Sequence, residues 1–189
     1  ETAVQFDTRE AVNRDQIVVL PIILLAIGLV LLVLLRSVVA PIYLCATIIF
    51  TYFSTIGISL LVFRHIFDQP AYTAGLPFFL FVFLNALGVD YNIYLMSRIR
   101  EEARINELSE ATRIAVSQTG GVITSAGIIL AGTFSALMVL PLTDLFQLGF
   151  AVAIGVIIDT FITRTLLVPA LVKLLGQKNW WPSKIIPSK

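Results

Sequence analysis

The chain of 189 residues is 58% hydrophobic and 13% charged, with a mean hydropathy of +0.93. A soluble globular domain carries about 25% charge, so this composition excludes that class. A net charge of +1, with no basic stripe outside the loops between apolar runs, argues against nucleic acid as a partner.

Residues 1–15 are polar and mixed in charge, and read as the end of a water-soluble domain leading into a membrane. The sequence opens at Glu1 with no methionine, and its first apolar run is too long for a signal peptide. The expectation is a piece of a longer protein. Five apolar spans follow, at residues 16–35, 38–63, 74–97, 120–140 and 145–175. Each reaches the ~20 residues that cross a ~30 Å hydrocarbon core at 1.5 Å per residue. The expected fold is therefore all-α: a polytopic helical membrane bundle of five transmembrane helices, occupying residues 16–175. The last span is longer than needed, and its final turns, 169–175, are expected to run along the inner surface. Residues 176–189 read as a cytoplasmic tail.

Basic residues are placed asymmetrically. Arg36, the cluster Arg98, Arg100, Arg104 and Arg113, and Lys173, Lys178, Lys184 and Lys189 fall on one side if all five spans cross. Arg9, Arg14 and Arg64 fall on the other. The positive-inside bias then puts the N-terminus outside and the C-terminus in the cytoplasm, in a multi-pass protein of the cytoplasmic membrane. Trp180 and Trp181 fit an aromatic belt at the membrane surface. Between spans three and four, Ile99, Ala103, Ile105, Leu108, Ala111, Ile114 and Ala115 recur at near-helical spacing among charges. This predicts an amphipathic interfacial helix at about residues 99–117 on the cytoplasmic face. In span four, Gly121, Ser125, Gly132 and Ser135 fall near one face, with Gly127, Ala131 and Ala136 adjacent. Small residues let helices approach closely in lipid, so that face is expected to pack on span three or five. Thr124 and Ser125 fit the same packing role better than a substrate-lining one.

The chemistry centres on the third span. Asp90 lies where a charge costs about 2.5 to 3.5 kcal/mol or more, and intramembrane ionisable groups are functional by default. On a helix, Ala86, Asp90, Tyr94 and Ser97 share one stripe, and Gly88, Tyr91 and Leu95 the neighbouring one. Low dielectric favours the neutral form of a carboxyl, which suits Asp90 to loading and releasing protons, with Tyr91 or Tyr94 as hydrogen-bond partner. The alternative for Asp90 is a purely structural bond to a neighbouring hydroxyl. Asp159 is the second intramembrane acid, with Thr160, Thr163 and Arg164 close in sequence. Two readings stand for it: a second functional acid, or one neutralised by Arg164 or bonded to Thr163. Cys45 lies inside an apolar run and reads as a small buried hydrophobe. His65, at the outer end of span two, is given no role. No metal site and no cofactor are expected.

Gly88-x-Asp90-Tyr91-x-x-x-Leu95-x-x-Arg98-x-Arg100-Glu101-Glu102 resembles the signature of the MMPL branch of the RND superfamily. Phe6-Asp7 with Arg14-Asp15, the turn from Leu35 to Pro41, the stretch from Arg164 to Leu171, and Asn179-Trp180-Trp181-Pro182 are similar to the same family. The resemblance implies the five-helix block of one half of a transporter, preceded by the last residues of an extracytoplasmic porter domain at 1–15. The short polar tail favours the C-terminal half. It implies that Asp90 and Tyr91 relay protons opposite a matching pair in the other half. The remaining half and its porter domains, the lipid bilayer, protons and a lipid or hydrophobic substrate would then be its partners.

The residues leave two other functions open. Asp90 and Asp159, with Pro169-Ala170-Leu171, resemble parts of an intramembrane aspartyl protease. Val89 stands where that motif wants tyrosine, and Gly155 to Asp159 lacks its Gly-x-Gly-Asp spacing. A non-transporting sensor or scaffold, like sterol-sensing proteins with similar helix blocks, would need no titrating acid. A transporter rather than an enzyme is the expected class.

Overall fold

A computed structural model describes residues 2–69 and 71–183, with side chains from Val18 onward. The chain forms α1 (Thr2–Leu35), α2 (Val39–His65), α3 (Leu76–Glu102), α4 (Leu108–Ser135) and α5 (Thr143–Ile157). The fifth rod continues through a π-helical segment, Ile158–Leu167, into α6 (Val168–Leu175) and a 3₁₀ turn, Gly176–Trp180. Five stretches of the described residues are long and apolar enough to cross a membrane: Val18–Leu35, Val39–His65, Leu76–Glu102, Leu108–Val139 and Thr143–Trp180. The chain is an all-α helical membrane bundle, as its composition requires.

Local chemistry explains the ends. Pro77 stands in the first turn of α3, where a missing N–H costs least. Gly176, with φ +57, stops α6. Along the rods, hydroxyls of Thr47, Thr55, Thr112, Thr119 and Thr124 donate to carbonyls three or four residues back. A helix can thus carry a polar side chain through lipid without leaving it unsatisfied.

The fifth rod is the centre of the bundle, and α5 touches α2, α3 and α4. Close approach is needed there: a Cβ on Gly155 would lie 2.7 Å from Leu84 and 3.1 Å from Thr55. Two apolar clusters divide the interior. One gathers Leu31, Leu44, Leu95, Ile99, Val168 and Trp180. The other gathers Phe63, Leu80, Phe81, Leu84, Val152 and Val156. Between them, α2, α3 and the π segment bring Thr51, Gly88, Tyr91, Asp159, Thr163 and Arg164 to a polar layer.

Several expectations are corrected. Residues 99–117 do not form a separate interfacial helix. Ile99 to Glu102 complete α3, a turn follows, and α4 begins at Leu108 and runs unbroken past Gly120 and Gly121. The apolar positions Ala111 and Ala115 are fully buried, so the first turns of α4 pack inward. Residues 169–175 likewise continue the fifth rod, with Val168, Pro169 and Val172 buried among α2, α3 and α4. Trp180 is a core residue, wholly buried, while Trp181 is 62% exposed and keeps the surface position expected of both. In α4 the buried face is Thr119, Ile123, Gly127 and Ala131; Gly121, Ser125 and Gly132 are exposed instead. Gly127 and Ala131, both among the small residues expected to pack, are on that face, and Gly127 lies against Thr160 of the fifth rod.

One end of the bundle is knotted by the stretch after α6. Ser37 Oγ donates to the Asn179 carbonyl at 2.7 Å, Val38 N to the Trp181 carbonyl at 2.9 Å, and Ser183 Oγ to the Arg36 carbonyl at 2.9 Å. Arg36 holds a left-handed backbone, φ 46, which these bonds support. Arg100 donates to the Leu35 carbonyl and lies over the Trp180 ring at 5.6 Å. At the other end, Gln147 of α5 pins the connection before α3. It donates to Gln69 at 2.7 Å and accepts from the Thr73 backbone N–H at 2.8 Å. Of the expected tail at 176–189, residues 184–189 lie outside the described residues.

Candidate functional site

The site is built by α3 and the π-helical segment. In an α-helix, residues five apart are turned about 140° from each other, so Asp159 and Arg164 would face different ways. The wider π turn stacks them, and Arg164 pairs with Asp159 on the same segment. The segment is also seen in Thr165 Oγ1, which donates to the carbonyl of Thr160, five residues back, at 2.8 Å. Such segments recur at functional sites. The two side chains are 4% and 14% exposed, which makes this an enclosed pair.

Arg164 reaches across to α3. Its Nη2 donates to the Gly88 carbonyl at 3.0 Å, and its guanidinium lies 4.8 Å from the centre of the Tyr91 ring. The absence of a side chain at 88 leaves room for the guanidinium: a Cβ would sit 3.1 Å from Arg164 Nη2, so the tip of the arginine would have to give by a few tenths of an ångström. At Gly127 of α4 the constraint is stricter: a Cβ there would collide with the short, branched side chain of Thr160. Thr163 shares a 2.8 Å hydrogen bond with Thr51 of α2. A cavity of about 10 Å³ remains, lined by Gly88, Tyr91, Gly127, Asp159, Thr160 and Arg164. That is close to the smallest space that holds one water. Arg164 Nε is buried without a hydrogen-bond partner among the described residues.

Asp90 stands apart. It is exposed, with Ala86 and Tyr94 on the same exposed stripe of α3, while Gly88 and Leu95 are buried and Tyr91 half-buried. Among the described residues no ion pair or side-chain hydrogen bond engages Asp90. The motif thus splits by helical phase: Gly88 and Tyr91 turn toward Arg164, and Asp90 turns out of the bundle. Asp159 is held by Arg164, as one of its two sequence readings expected, and its neighbour Thr163 bonds Thr51 rather than Asp159. An exposed Asp90 and an enclosed, paired Asp159 are not two carboxyls sharing one proton, which removes the geometry a protease dyad needs. Thr124 returns its hydroxyl to the Gly120 carbonyl and Ser125 to the Val122 carbonyl, so both satisfy their own helix. Among the described residues no group of three or more metal-ligating side chains gathers.

The pairing of Asp159 with Arg164 is legible in the sequence, but the reach of Arg164 to α3 is not. The π segment leaves no mark in hydropathy, and Gly88 was read as part of a stripe rather than as the carbonyl that Arg164 needs. The available signal was the spacing itself: an acid and an arginine five apart in an apolar helix can pair only if the helix widens.

The model of the MMPL family matches residues 1–188. The chain is 46% identical over 185 residues to the apo-petrobactin exporter of Bacillus anthracis, covering 98% of this chain and 25% of that protein. It is 40% identical over 183 residues to the sulfolipid-1 exporter MmpL8 of Mycobacterium tuberculosis, covering 96% of this chain and 17% of that protein. Similarity to the membrane protein ActII-3 of Streptomyces coelicolor is 45% over 181 residues, or 96% of this chain and 26% of that one. The chain spans about a quarter or less of the length of these curated relatives.

Proposed function

The chain belongs to the MMPL family, and on that premise we propose that it is the five-helix membrane block of one half of a proton-driven exporter. Two of the relatives above are named as exporters, one of apo-petrobactin and one of sulfolipid-1. The cargo proposed here is a lipid or another hydrophobic molecule, the class to which the sulfolipid belongs. Asp90 and Tyr91 form this half's share of the proton relay. The block sits with its N-terminus outside and its C-terminus in the cytoplasm, following the placement of its basic residues. It works with a second half and with porter domains, and it is not an enzyme.

The observation that carries this reading is the outward turn of Asp90. An ionisable group in an apolar helix is expensive unless it has a partner. Asp159 has its partner inside the block, but Asp90 is exposed on α3. Its partner on this reading is the facing helix of the other half. There it takes up a proton on one side of the cycle and releases it on the other. Each charge moved through the membrane field supplies about 2.3 kcal/mol per 100 mV, so a few protons per cycle can drive export uphill.

The test uses the full-length protein. Asp90→Asn should abolish efflux of a lipophilic fluorescent dye driven by an imposed proton gradient, at unchanged expression. Unchanged efflux would remove the reading.

A further inference from the structure

The buried pair Asp159–Arg164 is left unused by a relay made only of Asp90 and Tyr91. Its geometry is specific. Arg164 bonds the carbonyl of Gly88, two residues before Asp90, and covers the ring of Tyr91, one residue after it. The arginine therefore grips α3 on both sides of the acid, from the face opposite to the one on which Asp90 is exposed. Its own direction is set by Asp159, which the π-helical turn places beside it.

We propose that Arg164, steered by Asp159, is a positioning residue for the proton relay: it fixes the rotation of α3 at Gly88 and the orientation of the Tyr91 ring, and so the direction in which Asp90 is presented. Neither residue of the pair transfers the proton. A guanidinium is suited to this because its planar fork can bond a carbonyl and an acid through different N–H groups while lying flat on an aromatic ring. Lysine has one compact charged head and cannot do all three. The groups that face the pair are few. From α3 it meets Tyr91; from α4, Ile123, Gly127 and Leu130, none of them ionisable; and from α2, Thr51 on the neighbouring Thr163. Tyr91, Asp159 and Arg164 are thus the titratable or charged groups among the residues around it.

This inference rests on the reading of Asp90 as a titrating relay acid, and the test separates the two. Purified full-length transporter is titrated with pH while infrared difference spectroscopy follows its protonated carboxyls; Asp90 is assigned as the band lost in Asp90→Asn. Arg164→Gln alone would leave a buried acid without its cation, so the variant used is D159N/R164Q, which removes both charges together. The Asp90 band should persist with its midpoint displaced by about half a pH unit or more, since the group now sits among differently oriented neighbours. If the double variant does not accumulate, Arg164→Lys replaces it. That variant keeps the positive charge beside Asp159 but loses the combined hold on Gly88 and Tyr91, and the same displacement is expected. A purely structural pair would leave the midpoint where it was, and that result overturns the inference. Failure of the relay reading looks different: no titrating band would be lost in Asp90→Asn.

Discussion

Asp90 and Asp159 are both aspartates in apolar helices, and the bundle treats them in opposite ways. Asp159 is enclosed and brings its own cation on the same segment, at the cost of a π-helical turn. Asp90 is exposed on a stripe of α3 with Ala86 and Tyr94. An enclosed acid must be neutralised within the fold, because an unpaired buried charge is among the costliest defects a protein can carry. An exposed one adds little to the stability of its own block, and its role lies at the surface where it emerges. On the proposed reading, the difference separates what holds this block together from what the block does.

The largest effect should come from breaking the enclosed pair on one side. Arg164→Gln strands Asp159, and losing one partner of a buried ion pair costs roughly 3 to 5 kcal/mol. The full-length protein should lose most of its folded yield in detergent, and D159N/R164Q should recover much of it. Next come the paired tryptophans, which test the same contrast of inside and outside at the end of the bundle. Trp180 is wholly buried against α2 and α3, so Trp180→Ala should lower stability by about 3 kcal/mol, while Trp181→Ala should stay within about 0.5 kcal/mol. Thermal melting of the two variants side by side reads the difference. Gly127→Ala drives a methyl group into Thr160 on the π segment. Overpacking of this kind costs about 1 to 3 kcal/mol, and melting should fall between the two tryptophan variants. Smallest is Asp90→Asn, which should leave melting within about 0.5 kcal/mol of wild type even though efflux is lost. A marked loss of stability in that variant would mean that Asp90 is a structural residue after all.

Much of the fold was legible because lipid imposes long apolar runs: each of the five runs lies within a membrane-length helix, although the fourth helix starts at Leu108, well before its run. The motif around Asp90 was legible for the same reason: a charge stands out in span three. What stayed hidden depends on side-chain contacts that hydropathy does not record. The stretch at 99–117 has real helical periodicity, but nothing in its pattern tells an interfacial helix from the inward-packing first turns of α4. Trp180 and Trp181 are the same residue type side by side, and only the hold of Ser37 and Arg100 on that segment turns one of them inward. Of the small residues of α4, Gly127 and Ala131 lie on the packed face, Gly127 against the fifth rod as expected, while Gly121, Ser125 and Gly132 do not, since a glycine with nothing near it reads like one under a neighbour. The π turn was the deepest omission, because Asp159 and Arg164 look mismatched on the ordinary 3.6-residue wheel.

The most direct test is the protonation state of Asp90 in the full-length transporter while it works. Isotope-edited infrared spectroscopy under an imposed proton gradient should show the Asp90 carboxyl band gained and lost as dye is exported. A side chain held in one protonation state throughout turnover would contradict the account.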